Sequence, residues 1–165
     1  MPRVTLLEPT GPVLRSAVLS LAPSEEEAVW SGRASDTLPA AEADPTRHPV
    51  AMIDEAGVPV GFLVLDLGAR SRRYARGGDE IGVHGFFVDL GHRRRGIARG
   101  AIEALPAYVA EHHPQITSIA LTVVVENRPA VGAYLAGGMH DTGDLFLGGT
   151  NGPQHVMRMS VHERH

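Results

Sequence analysis

Hydrophobic residues near the start of the chain recur with the spacing of helices. Leu14, Val18 and Leu21 fall on one helical face and predict a helix over residues 12–21, after a short strand at residues 4–7. Ser24 stands three residues before a glutamate, which is capping-box spacing and predicts the start of a second helix. Residues 31–49 are rich in Ser, Pro, Ala and Asp. We expect them to form a loop with at most one helical turn.

From Val50 onward, the hydrophobic positions follow the pattern of strands. Residues 50–54 and 58–68 flank a DEAG turn and predict a hairpin. Residues 68–79 are polar and contain glycine, so they are expected to be a loop. Residues 81–90 predict the next strand, and a turn rich in arginine follows it directly.

The remainder of the chain predicts a helix, a buried strand, a short helix and a closing hairpin. Helical spacing holds from Ala98 to Val109, although Pro106 is expected to kink that helix or to cut it short. A helical crossover places the strand at 119–125 parallel to the strand before it, which makes a βαβ unit. A helix starts at Pro129 and ends at two glycines, and the last hairpin surrounds the GGTNG turn at 148–152.

This order of elements predicts a mixed α/β fold of the α+β kind, with helices on both faces of a central twisted mixed sheet. At 165 residues, one domain spanning 1–165 is expected, with neither repeat nor second domain. Ligands of such sheets gather beyond the carboxyl ends of the parallel strands. There the turn at 91–98 and the segment at 126–128 are expected to meet.

The segment FFVDLGHRRRGIAR at 86–99 reads as a strand, a turn and the start of a helix. A helix start presents unpaired backbone N–H groups and a positive dipole end, and the arginines add charge, so a polyphosphate is the expected ligand. The alternative is a solvated charged face with no ligand. A Walker A motif is excluded, because the sequence has no GxxxxGK[ST] and no lysine.

Composition removes several classes of function. The absence of cysteine excludes disulfides, thiolate metal sites and a thiol acyl-enzyme. The net charge of −4 argues against a nucleic-acid partner, although arginines concentrate at 70–76 and 93–99. No apolar run is long enough for a membrane span and no signal peptide is recognised, so a cytoplasmic location is expected. The nine histidines lack metal-ligand spacing, and no metal is expected.

At these residues the chain resembles the GNAT superfamily of acyl-CoA-dependent N-acyltransferases. The family signature is Gln or Arg, two residues, Gly, one residue, then Gly or Ala, and here it stands as RRRGIA from Arg93 to Ala98. ENRPAVGAYLAGGM at 126–139 resembles the second cofactor segment of that family. The resemblance implies a GNAT-like fold with an acyl-CoA-binding core at 80–139 and a helical, substrate-side segment at 1–49.

The resemblance also implies which residues bind coenzyme A. The turn would hold the pyrophosphate through Arg93, Arg94, Arg95, Gly96, Ile97, Ala98 and Arg99. The main chain of Phe87, Val88 and Asp89 would pair with the pantetheine arm. Asn127 matches an asparagine that hydrogen-bonds the same arm, and the alternative is an ordinary helix cap.

Three residues are candidates for catalysis. Tyr134 matches the family tyrosine that faces the departing sulfur, and the alternative is a core residue. A phenol near pKa 10 is a weak proton donor to a thiolate near 8.5, so hydrogen bonding to the thiolate is the expected role. Glu80 and His84 are candidate general bases, on one side of their strand with Gly82 and Phe86, against a surface or structural role.

The predicted function is an N-acetyltransferase that transfers an acetyl group directly from acetyl-CoA to a primary amine of a small molecule. The sequence looks most like bacterial diamine and polyamine acetyltransferases, so a polyamine is one candidate acceptor. Two alternatives stay open: acetylation of peptide or protein N-termini, and a non-catalytic regulatory protein that binds coenzyme A. Exposed strand edges make a homodimer reasonable.

Overall fold

A computed structural model describes residues 3–149 and 151–162 of the chain. Thr150, in the expected GGTNG turn, lies outside the described residues. Residues 1–2 and 163–165 of the expected domain also lie outside them. The strands are β1 (Thr5–Leu7), β2 (Arg47–Ile53), β3 (Pro59–Asp66), β4 (Glu80–Val88), β5 (Ser118–Val124), β6 (His140–Phe146) and β7 (Gln154–Ser160). The helices are α1 (Pro12–Leu19), α2 (Glu25–Ser31), α3 (Ala34–Glu42), α4 (Ala69–Arg72), α5 (Ile97–His112) and α6 (Arg128–Ala136).

All seven strands form one sheet in the order β1-β2-β3-β4-β5-β7-β6. The pair β4 and β5 is parallel and the other neighbours are antiparallel. Helix α5 connects the parallel pair, because two parallel neighbouring strands need a crossover connection. The predicted mixed sheet and βαβ unit are confirmed.

The alternating side chains of the sheet divide the core between its two faces. In β2, Val50 and Met52 belong to the cluster that includes α5, whereas Ala51 and Ile53 belong to the cluster that includes α1 and α3. Successive residues of a strand point to opposite faces, so the helices cover both sides of the sheet. This arrangement confirms the expected layers and buries β3 on both faces.

One expectation about helices was wrong, and one alternative of another is excluded. Residues 31–49 are not mainly loop, because Ala34, Leu38 and Ala41 are buried on one face of α3 and β2 follows directly. Tertiary burial here outweighs the low helix propensity of the segment. Pro106 does not cut α5 short, because the helix continues to His112, and the alternative expectation of a kink stays a prediction. A proline removes one helical hydrogen bond, and the seven buried residues of α5, which include Leu105 and Val109, hold the helix against the sheet.

A buried ion pair joins β4 to β7 across the sheet. Arg158 Nε donates to Glu80 Oε2 at 2.6 Å, and Ser118 Oγ donates to the same oxygen at 2.7 Å. Burial raises the pKa of Glu80, but the hydrogen bonds from Arg158, Ser118 and the backbone of Arg76 outweigh it and lower the value to about 2. Glu80 is therefore ionised, and both oxygens of its carboxylate accept hydrogen bonds within the fold.

Among the residues that the structure describes, no helix has the length and apolar character needed to cross a bilayer.

Replacement of Glu80 by glutamine should lower the free energy of unfolding by about 3 kcal/mol at pH 7, because Arg158 then stays buried without a counter-charge. The folded-state pKa lies below the ordinary 4.5. The contribution of Glu80 is therefore present above pH 4.5 and is lost as the pH falls toward 2. Urea unfolding as a function of pH measures both effects.

The exposed Glu111 on α5 provides the control, since Glu111→Gln should change stability by less than about 0.5 kcal/mol. If Glu80→Gln is as stable as the control, the ion pair does not hold the sheet as described.

Candidate active site

The parallel strands β4 and β5 separate after four pairs of residues. Their pairing runs from Glu80 opposite Ser118 to Val83 opposite Leu121 and then ends. In β4, Gly85 and Phe86 together oppose one residue of β3, because the register shifts between its neighbours. Gly85 adopts φ +63°, which glycine tolerates without strain. This bulge turns β4 away from β5 and opens a gap between the two strands.

The bulge also changes which side chains share a face. Phe86 packs with the cluster that contains Ile81 and Val83, on the α5 side of the sheet. The expectation that Phe86 lies on the same side as Glu80 and His84 was wrong, because an extra residue in a strand inverts the alternation beyond it.

The turn that follows β4 presents a row of free backbone donors. Asp89 begins a single 3-10 turn, Arg94 has φ +64°, and Gly96 has φ +75° as the N-cap of α5. None of the backbone N–H groups from Arg93 to Arg99 has a hydrogen-bond acceptor among the described residues. Such consecutive N–H groups at a helix start form a concave site for an anion.

The arginines of the turn have different roles. Arg95 Nη2 donates to Asp54 Oδ2 at 3.1 Å and so attaches the turn to the β2–β3 hairpin. Arg93 lies 3.4 Å from the carboxylate of Glu27. Arg99 Nε is buried and has no hydrogen-bond partner among the described residues, although Glu103 is 3.8 Å away. Arg93, Arg94 and Arg99 line the space beside the turn, and Arg95 does not.

Asp89 stabilises the turn from within the protein. Its N–H donates to Val60 O, its carbonyl accepts from His92 N, and its carboxylate accepts from Ala22 N at 3.0 Å. Both main-chain groups of Asp89 are therefore occupied. This geometry disfavours the expected contact between Asp89 and a bound arm and leaves that contact to Phe87 and Val88, which line the space.

Two adjoining cavities occupy the gap between the strands. The turn cavity, about 550 Å³, lies between β4, the arginine turn and the start of α6. The sheet cavity, about 310 Å³, lies between the separated strands, α4 and the β6–β7 hairpin. Five residues line both cavities and define the junction between them: Glu27, Trp30, Phe86, Asn127 and Tyr134. The segments 91–98 and 126–128 meet at the turn cavity, as expected from the sequence.

Asn127 is the N-cap of α6 and lies at the junction. Its Oδ1 accepts from Ala130 N at 3.4 Å, while Nδ2 has no partner among the described residues. The helix-cap role is therefore real, and it leaves the amide donor free to face a ligand. The cap is observed, and the contact of Asn127 with the cofactor arm stays a prediction.

The model of the acetyltransferase (GNAT) family matches residues 15–138 of the chain. The chain belongs to the GNAT acetyltransferase family. Membership confirms the expectation of an acetyl-CoA-dependent N-acetyltransferase, and the fold predicted from the resemblance is confirmed with it. The family match includes the arginine turn, α5 and α6.

Solved structures of other acetyltransferases share the fold of this GNAT protein. The aminoglycoside acetyltransferase AAC(6')-Ib, in complex with paromomycin and acetyl-CoA, is 17% identical with a TM-score of 0.75, over 96% of this chain and 93% of that one. A spermidine N-acetyltransferase from Vibrio cholerae, in complex with CoA and spermine, is 16% identical with a TM-score of 0.68, over 96% and 95%. No curated protein sequence matches the chain.

Tyr134 of this GNAT protein lies at the junction and is only 6% exposed. Its ring makes an edge contact with Phe86, with 5.2 Å between the ring centres. Burial, with a smaller effect of Glu27, raises the pKa of Tyr134 well above its ordinary value of 10. The hydroxyl has no hydrogen-bond partner among the described residues, so it is a neutral donor available at the junction.

His84 lines the sheet cavity beside the bulge. Burial and then the positive charges of Arg70 and Arg47 lower the pKa of His84 to about 3. The carboxylate of Asp66 lies 3.4 Å from Nε2 without a hydrogen bond between them; it also lies 4.0 Å from Arg47 and accepts from Gly68 N at 2.6 Å. The imidazole is therefore neutral at pH 7.

Glu80 lies outside the residues that line either cavity, and its carboxylate is held by Arg158. A carboxylate with a pKa near 2 accepts protons poorly at neutral pH, so this geometry disfavours Glu80 as a general base. In the described chain, no group of three or more His, Asp or Glu residues is placed to hold a metal ion.

Several lining residues were missed by reasoning from the sequence. The polar or charged ones that line the sheet cavity are Ser31, Arg70, Arg73, Tyr74, Thr122, Asn151 and Gln154. The only signal for them was the concentration of arginine at 70–76, which was interpreted as a general basic patch. Trp30, at the junction, gave no signal beyond its place in a helix.

Replacement of Arg94 by glycine should stabilise the protein by about 0.5–1 kcal/mol. A non-glycine residue at φ +64° is strained by roughly 1–2 kcal/mol, and the flexibility that glycine adds to the unfolded chain offsets part of the gain. Thermal or urea unfolding measures the change.

The matched control is Arg93→Gly, because Arg93 has φ −70° and gains nothing from glycine. That variant should be less stable than the wild type. Equal destabilisation by both substitutions would contradict the strained conformation at Arg94.

Proposed function

We propose that the protein transfers the acetyl group of acetyl-CoA directly to the primary amine of a small molecule. The observation that carries the proposal is the continuity of the two cavities. A row of free N–H donors opens into the turn cavity, which joins the sheet cavity at Tyr134. One cavity suits an anionic cofactor, the other suits an acceptor, and the junction is where two bound substrates can react.

In this proposal, acetyl-CoA is bound by main-chain groups more than by side chains. The N–H groups from Arg93 to Arg99 bind the pyrophosphate, and Arg94 and Arg99 add positive charge at the rim. The backbone of Phe87 and Val88, unpaired with β5, binds the pantetheine arm as an added strand would. Asn127, which lines both cavities, offers Nδ2 as a side-chain donor to the same arm in this proposal.

The reaction is proposed to be direct. The nitrogen of the acceptor amine attacks the thioester carbonyl, the carbon–nitrogen bond forms, and the carbon–sulfur bond breaks as the thiolate of coenzyme A leaves. The chain has no cysteine to form a thiol acyl-enzyme, which accords with attack by the amine itself. Tyr134 donates a hydrogen bond to the departing sulfur, and its raised pKa suits a donor that keeps its proton.

The acceptor must lose a proton, because an amine near pKa 10 is mostly protonated at pH 7. Water in the sheet cavity is the proposed carrier of this proton. His84 lines the cavity and is neutral, so it can accept a hydrogen bond from that water and position it, while its pKa of about 3 makes it a weak base, as with Glu80.

Polyamines gain no specific support as acceptors from the acidic residues near the amino terminus. Glu42 is paired with Arg15, and Asp44 accepts hydrogen bonds from Thr46. Of the acidic residues between 25 and 44, Glu27 alone lines the sheet cavity among the described residues. A site for a polycation would be expected to present several free carboxylates.

Thiol release from acetyl-CoA, measured with a panel of amino acids, polyamines, aminoglycosides and short peptides, tests the proposal. Calorimetric titration with coenzyme A is done in parallel. Release with an amine class supports acetyl transfer and identifies the acceptor type. Tight binding of coenzyme A without release above buffer across the panel would instead favour a non-catalytic binder.

Replacement of Tyr134 by phenylalanine should lower kcat by about 100-fold, because one hydrogen bond to the developing thiolate is lost. The KM for acetyl-CoA should change less than threefold, roughly, since the hydroxyl acts on the leaving group and not on ground-state binding. Steady-state thiol release measures both values.

Tyr108→Phe is the matched control, because Tyr108 is also buried but stacks on His112 away from both cavities. It should keep the wild-type kcat. A Tyr134→Phe variant as active as this control would rule out the proposed donor.

A further inference from the structure

We propose that the acceptor amine carries a carboxylate, which Arg70 and Arg73 bind in the sheet cavity. This inference rests on the proposed acetyl transfer and specifies its substrate class. It contrasts with the cationic acceptors of the structurally similar acetyltransferases, which bind aminoglycosides or spermine.

The two arginines lie on one short helix that the fold holds in place. Ser71 Oγ donates to Gly68 O at 3.1 Å, and Gly68 N donates to the buried carboxylate of Asp66 at 2.6 Å. Helix α4 is thereby fixed at the end of β3, where Arg70 and Arg73 both line the sheet cavity. Their placement follows from this buried anchor.

Arg73 is oriented by neutral partners. Its Nη2 donates to Gly148 O at 2.6 Å, and its guanidinium lies over the Phe146 ring at 5.1 Å from the ring centre. Phe146 in turn makes an edge contact with Tyr74 at 6.0 Å. Neither a carbonyl nor a ring neutralises the charge of Arg73, which is exposed, so its guanidinium keeps its full charge and has N–H groups available to a carboxylate.

Arg70 is exposed, lines the cavity and makes no hydrogen bond or ion pair among the described residues. Its positive charge acts on the interior: after burial it is the next cause of the lowered pKa of His84, and it partly offsets the burial that raises the pKa of Tyr74. An arginine that faces a cavity without a carboxylate is suited to bind one from a ligand, because its planar fork matches carboxylate geometry.

The carboxylates near the cavity are already engaged. Glu27, at the junction, accepts from Ser24 Oγ at 3.0 Å and lies 3.4 Å from Arg93. Glu80 is held by Arg158, and the side chain of Asp66 is 1% exposed beneath the cavity floor. The end of the cavity near α4 is therefore positive, although the whole chain has a net charge of −4.

The positions of these groups orient the acceptor. Its amine must lie at the junction beside Tyr134, and its carboxylate lies at the α4 end. A cavity of about 310 Å³ holds roughly ten water molecules, which suits a molecule of amino-acid size. A diamine would place its second ammonium next to two guanidinium groups, which costs binding energy.

Matched pairs of amines test the inference. Thiol release from acetyl-CoA is measured with glycine, β-alanine, 4-aminobutyrate and lysine, and with the amine that lacks the carboxylate of each. In the pair with the fastest turnover, we expect kcat/KM to be at least about tenfold higher for the amine that carries the carboxylate than for the amine that lacks it. One charge-assisted hydrogen bond has an effect of this size. In Arg70→Gln this ratio should fall to about one.

Arg72→Gln is the matched control, because Arg72 lies on the same short helix, is exposed and does not line the cavity. It should keep the wild-type ratio. A similar loss of preference in the control would show that α4 had been disturbed and would overturn the assignment to Arg70.

The outcomes separate this inference from the proposed function. Turnover of the amines with no preference for the acids, or with preference for diamines, overturns the carboxylate site and leaves acetyl transfer intact. Preference that survives in both Arg70→Gln and Arg73→Gln also overturns the site. Binding of coenzyme A without turnover of any amine overturns the proposed function and this inference with it.

Discussion

The separation of β4 from β5 after Val83 and Leu121 is the constraint on which the site depends. Parallel strands in a sheet normally keep their hydrogen bonds along their length, and here the bulge at Gly85 ends them. The loss leaves backbone groups of β4 without partners in β5 and creates the space for both cavities. Phe86 and Tyr134 meet across the opening. A ligand that pairs with the free strand edge restores interactions that the sheet itself lacks.

Charge is distributed so that the sites are positive and the surface is acidic. Fifteen basic and nineteen acidic residues give a net charge of −4. Within the described part of the chain, Arg94 beside the turn cavity and Arg70 beside the sheet cavity nevertheless have no ion-pair partner. Other arginines are used within the protein, as with Arg95 on Asp54 and Arg158 on Glu80. Local pairing, and not composition, therefore decides where anions can bind.

Local signals predicted the parts of the site that depend on nearby residues. The strand, turn and helix around Gly96, the cap at Asn127 and the parallel crossover follow from spacing over a few residues. The sequence did not indicate the bulge at Gly85, the helix at 34–42 or the pairing of Glu80 with Arg158, which is 78 residues away. These features depend on tertiary packing. The bulge adds one residue to β4 and therefore places Phe86 on the opposite face of the sheet from the one expected.

Amide hydrogen exchange, with and without saturating coenzyme A, tests the central claim most directly. The N–H groups from Arg93 to Arg99 have no acceptor in the described protein, so they should exchange rapidly in the free protein. Coenzyme A should slow exchange in this turn and in Phe87 and Val88, with little change in β6 and β7. Unchanged exchange at the turn, together with measurable binding of coenzyme A, would contradict it.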